Sequence, residues 1–143
     1  MSLASIEKIL GGKKNLDQKI KNRMDLVVIS KNGVTKASLL KLADYLKLSV
    51  KEISKLLPVG ERTIQRYDKG HSFKTTVSEH ILQIAEVAAR GEDVFGNRER
   101  FLKWVNFPCS ALGNKIPLEL LASRFGAEIV LDELGRIEHG IIP

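Results

Sequence analysis

The side chains able to do covalent or metal chemistry are few in this sequence, and their spacing argues against both. His71, His80 and His139 share no ligand spacing with one another or with Cys109. A zinc site needs about four convergent ligands, so no metal and no cofactor is predicted. Cys109, the single cysteine, would need a nearby base and an activating charge to serve as a nucleophile; its expected role is a small, partly buried filler. Glu92 and Asp93 are sequence neighbours, which puts them on different sides of a helix end. The run from Gly11 to Lys14 lacks the spacing of a phosphate-binding loop. With no acid, base or nucleophile constellation, the chain is not expected to be an enzyme.

Two other groupings fit binding chemistry. Between Glu61 and Lys69, the outward positions of a short helix carry Arg62, Thr63, Gln65, Arg66 and Lys69. Arg and Gln are suited to bidentate pairing with guanine and adenine edges in the major groove, so this face predicts contact with double-stranded DNA. The chain end mixes Arg136, Glu138 and His139 with Ile137, Ile141 and Ile142. Exposed isoleucines are an apolar liability unless a partner or a second subunit covers them. This predicts a protein contact through Arg136, Glu138, His139 and Ile141.

The elements that must hold these groups read as helices. Met24, Val27 and Val28 recur at helical spacing before a stop at Asn32 and Gly33. Thr35 suits an N-cap for an apolar stripe from Leu39 to Leu46. Ser49 and Glu52 form a capping box opening a short helix with Ile53, Leu56 and Leu57. Pro58, Val59 and Gly60 end it, and the next helix is predicted over 61–69 with Ile64 and Tyr67 inward. Two short helices joined by a tight, Gly-containing turn are the helix-turn-helix arrangement. A long helix follows over about 77–90, apolar nearly all round and therefore buried on several sides. Further helices are expected over 97–106, 117–124 and about 125–136. Pro117 is placed as a first helical residue, Gly126 as a break, and a looser or extended ending is expected from Gly135 on. Residues 1–20 are ambiguous: Ile6, Ile9 and Leu10 could begin a helix or a strand. The fold class is all-α, divided as a 1–20 extension, a 21–76 helix-turn-helix domain and a 77–143 connector helix with a C-terminal domain.

Composition sets the frame. The 143 residues, 43% apolar, fit one compact domain or two small ones sharing a core. The net charge of +6 hides a division: residues 1–76 hold 16 basic and 7 acidic side chains, and 77–143 hold 7 and 10. A basic first half suits a phosphate backbone, and a mildly acidic second half does not. No apolar run approaches the ~18 residues of a membrane span, and no secretory leader is visible. The cytoplasm is the expected compartment, consistent with a lone cysteine.

The C-terminal residues Phe95, Gly96, Trp104, Pro108, Leu112, Gly113, Pro117 to Leu121, Gly126, Val130, Leu134 and Arg136 to Gly140 together resemble one family. It is the Xre/MbcA/ParS group of type II antitoxins. Upstream, Leu48, Ser49, Lys51, Glu52, Leu56, Leu57 and Glu61 to Arg66 are similar to its Xre-type helix-turn-helix segment, and Ser78 and Glu79 to its connector. The resemblance covers about residues 21–142. It implies a homodimer that binds its own operator and caps a RES-type toxin, an ADP-ribosyltransferase-like protein that depletes NAD, with the C-terminal tail entering the toxin's cleft. Three positions depart from the family's habit. Cys109 stands where Asn is common, Asn114 follows Gly113 where a second Gly is usual, and Gly60 replaces a capping Ser. The alternative reading is a helix-turn-helix repressor whose C-terminal domain only dimerises.

Overall fold

A computed structural model describes residues 3–140. Its organising element is helix α7, Thr75–Phe95, whose apolar residues cover so much of its circumference that neighbours pack on several sides of it. Before it come α1 (Leu3–Ile9), α2 (Lys13–Leu16), α3 (Arg23–Asn32), α4 (Lys36–Leu46), α5 (Val50–Ser54) and α6 (Glu61–Arg66). After it come α8 (Arg98–Val105), a 3-10 turn (Ser110–Leu112), α9 (Pro117–Leu120) and α10 (Arg124–Glu138). Helices α1, α3, α4, α8 and α10 all pack against α7, so both halves of the chain share its core. Among the described residues, extended pairing is limited to isolated bridges at Thr35–Ser72 and Cys109–Lys115. No described helix is long and apolar enough to cross a membrane. The fold is all-α, with a helix-turn-helix unit joined through a buried helix to a small helical C-terminal unit.

Local chemistry explains most of the boundaries. Asn22, Thr35, Ser49, Asn97 and Ser123 each cap a helix by accepting a backbone N–H three residues on, removing one of the unpaired donors at the helix start. Ser78, fully buried in the first turn of α7, donates to the Phe73 carbonyl at 3.0 Å and accepts from the Val34 N–H at 2.8 Å. That hydroxyl fixes where the connector enters the core. Residues 1–20 contribute Ile6, Ile9, Leu10, Leu16 and Ile20 to the core. Ile6, Ile9 and Leu10 belong to a helix and its last turn, and Glu7 accepts the Ile20 N–H at 2.9 Å.

The helix marked by Met24, Val27 and Val28 forms as α3, with that stripe facing solvent and Ile29 and Ser30 turned inward. Two other expectations need correction. Gly126 does not break a helix: it sits inside the first turn of α10, behind the Ser123 cap. Its lack of a side chain is steric in purpose, because a Cβ there would overlap the Leu120 carbonyl. A looser ending does not begin at Gly135, because α10 runs through to Glu138 with Leu134 buried against the core.

Candidate functional site

The first candidate surface is built by α5, its turn and α6. In the Ser49 capping box, Glu52 Oε1 accepts the Ser49 N–H at 2.9 Å and Ser49 Oγ accepts the Glu52 N–H at 3.1 Å. The backbone bond from Ser49 is the main reason the Glu52 carboxyl is held below the usual carboxylate range. Ile53, Leu56, Leu57 and Ile64 are buried beneath the two helices, and Val59 packs half-buried at the turn. Arg62, Gln65 and Arg66 are exposed, and Thr63 is half-buried. Gln65 Nε2 donates to Glu61 Oε2 at 3.2 Å, one turn back. Arg62 and Arg66 have no side-chain hydrogen bond or ion pair among the described residues.

Helix α6 is shorter than the 61–69 the pattern predicts. Tyr67 leaves it with extended backbone, φ −78° and ψ 146°. The reason is tertiary. Lys36 Nζ donates to the Gln65 and Tyr67 carbonyls at 3.4 and 2.9 Å. The Ala37 and Lys36 N–H groups take the Lys69 and His71 carbonyls at 2.8 and 3.0 Å. The start of α4 thus consumes the acceptors that further helical turns would need. The Tyr67 ring stacks on His71 at 3.6 Å and packs on Phe73 at 5.7 Å. Lys69 is therefore exposed in the following turn rather than on the helix. Thr63, Tyr67, His71 and Lys74 line one concavity beside Gly60.

The second candidate surface is the end of α10. Arg136 and Glu138 lie in its last turn, His139 caps it, and Ile141 lies outside the described residues. Glu138 pairs with Arg90 of α7 at 2.8 Å, and Arg136 pairs with Glu133 at 2.7 Å. Glu133 is completely buried, and its Oε2 and the Arg90 Nε have no hydrogen-bond partner among the described residues. A buried carboxylate depends on such a pairing, so the cations here hold the end of α10 in place.

The remaining candidates are separated. His80 is buried in α7, where Nε2 donates to the Leu121 carbonyl at 2.8 Å, and His71 lies exposed against Tyr67. Cys109 is half-buried, its N–H bonded to the Lys115 carbonyl at 2.9 Å. Trp104 packs on Phe95 with ring centres 5.5 Å apart. Sequence reasoning missed the joint between the two units. Arg98 donates to the Tyr45 and Asp44 carbonyls at 2.8 and 2.7 Å, closing the end of α4, and its guanidinium lies 5.1 Å from the Tyr45 ring centre. The Tyr45 hydroxyl donates to Glu92 at 2.9 Å, and burial, then that carboxylate, pushes its pKa up. A donor 53 residues from its acceptor leaves no local signal.

These surfaces coincide with two family descriptions. Residues 25–86 match the antitoxin Xre-like helix-turn-helix domain. Residues 90–140 match the antitoxin Xre/MbcA/ParS C-terminal toxin-binding domain. Among curated proteins, the chain is 33% identical over 86 residues to an "Antitoxin Xre" of Yersinia enterocolitica, covering 59% of this chain and 57% of that one. It is 29% identical over 93 residues to an "Antitoxin Xre" of Photorhabdus laumondii, covering 64% and 63%. The match thus spans less than two thirds of either relative's length.

Proposed function

Because this chain belongs to the Xre/MbcA/ParS antitoxin family, we propose that it is the antitoxin of a type II toxin–antitoxin pair, neutralising a RES-type, NAD-depleting toxin and repressing its own operon as a homodimer. The observation carrying this reading is the order of two matched segments on one core. The helix-turn-helix segment exposes guanidinium groups on α6 that are unpaired among the described residues, and the toxin-binding segment ends in the charged last turn of α10.

On the DNA side, Arg62, Gln65 and Arg66 address base edges and phosphates. Thr63 and Lys69 contribute from the flanks, where backbone contacts set register rather than sequence. On the toxin side, Arg136, Glu138 and His139, with Ile141 beyond the described residues, enter the NAD cleft. The Arg90–Glu138 and Glu133–Arg136 pairs support a helix end presented in one orientation, which lowers the ordering cost of binding.

The test is co-expression with a RES-type toxin while cellular NAD and growth are followed. Full-length chain is expected to restore both. Truncation before Ile137 is expected to abolish rescue while operator binding persists. Unrelieved NAD loss beside abundant full-length chain would instead favour a repressor whose C-terminal domain only dimerises.

A further inference from the structure

Neither candidate surface accounts for an apolar face formed by α3 and the start of α10. Met24, Val27 and Val28 are 66%, 44% and 40% exposed along α3, and Phe125 and Ile129 are 82% and 48% exposed along the first turns of α10. The i, i+3, i+4 and i, i+4 spacings align each set as a stripe on its helix. Beside the α3 stripe lies a groove of about 280 Å³ that Val27 lines from α3 and Arg124, the neighbour of Phe125, lines from α10. Along α7 it presents Glu79, Gln83 and Glu86, with Arg23 and Arg124 at its two sides. Arg23 pairs with Glu86 at 3.0 Å and Arg124 approaches Glu79 at 3.8 Å. The Gln83 Oε1 has no hydrogen-bond partner among the described residues.

We infer that this face is where two copies of the chain meet about a two-fold axis. The inference deepens the dimer of the proposed function and rests on that reading. Three features select a second copy over another partner. A two-fold interface must be complementary to itself, and this face carries both charge signs, so each copy's arginines can answer the other's glutamates; a partner of one sign would meet repulsion. One of its two apolar stripes comes from α3, inside the helix-turn-helix match, not from the toxin-binding match. Finally, a recognition helix of six residues offers few base-reaching side chains, and helix-turn-helix proteins gain specificity by pairing on two half-sites. No residue of α6 lines the groove, so pairing there leaves that helix open.

The experiment is sedimentation and light scattering of the full chain over a concentration series, with Val27→Glu and Phe125→Glu beside it. Both positions are exposed, so the fold survives, as circular dichroism will show for each. Wild type is expected at twice 15.9 kDa, and either variant should raise the dimer dissociation constant by about 30-fold or more, as removal of a central apolar anchor does. Wild type at single mass throughout, or variants that stay dimeric, overturns the inference. Variants that stay dimeric but no longer retain co-expressed toxin would assign the face to the toxin. Variants that become monomeric, in a chain that binds neither toxin nor operator, would uphold the interface and defeat the functional reading instead.

Discussion

Helix α6 and the end of α10 hold their charges in opposite ways. Helix α6 is six residues long, anchored by the single buried side chain of Ile64, and leaves Arg62 and Arg66 in solvent without partners among the described residues. Helix α10 is fifteen residues long, and its terminal charges are tied to a buried Glu133 and to Arg90 of α7. Unpaired exposed cations cost the fold nothing and are free to exchange counterions for phosphates. Paired charges on a buried carboxylate are part of the fold before any partner arrives. One surface is suited to an electrostatic encounter with a polyanion, the other to a fixed shape.

The contrast is broken most severely at the base of α10. Gly126→Ala places a methyl group against the Leu120 carbonyl, and neither backbone can yield cheaply. Overpacking of this kind costs about 3 kcal/mol, read as a lowered midpoint in chemical denaturation. Toxin retention should fall in parallel. Operator binding by the fraction that is folded and dimeric should hold, because α6 packs on α5. Equal loss of both activities in the folded fraction would deny the separation.

A paired comparison sharpens the same point. Arg62→Ala with Arg66→Ala is expected to leave stability within about 0.5 kcal/mol, as surface changes do. The operator salt slope should fall by about one for each phosphate that is no longer neutralised. Arg136→Ala should do the reverse. It leaves the buried Glu133 carboxylate unpaired, and with the arginine half exposed, solvent reduces the cost to about 1 kcal/mol. Operator affinity should not move. Gel shifts at several salt concentrations and thermal melts separate the two outcomes. An unchanged slope for the double variant would refute α6 as the recognition helix.

What is legible in the sequence follows how locally each feature is determined. The caps at Thr35 and Ser49, the Pro117 start, and the buried Ile53, Leu56 and Ile64 depend on residues three or four apart, and local pattern reads those directly. The end of α6 does not, because Lys36 and Ala37, some thirty residues upstream, take its carbonyls. Nor does the outward face of α3: spacing marks Met24, Val27 and Val28 as a stripe without saying what covers it. Gly126 misleads for a related reason. A glycine in a helical pattern looks like a break, but only tertiary packing shows that it makes room for a neighbouring backbone. The exposed positions Arg62, Gln65 and Arg66 of α6 are readable one by one; that Lys69 leaves the helix is not.

The finest test lies at the start of α6. Gly60 caps this helix with ordinary extended backbone, φ −78° and ψ 158°, and no side-chain hydrogen bond. A Cβ added there meets nothing within 4 Å. Gly60→Ser therefore has room, a compatible backbone and an unpaired N–H to cap, and should stabilise the chain by a few tenths of a kcal/mol, about the difference between Ser and Gly at this position. On a helix held by one buried residue, that increment should appear as slower amide exchange confined to residues 61–66, with the end of α10 unaffected. Equal slowing in α10 would mean that the two surfaces are stabilised as one unit, and the contrast between an open helix and a tied one would then describe their charges but not their mechanics.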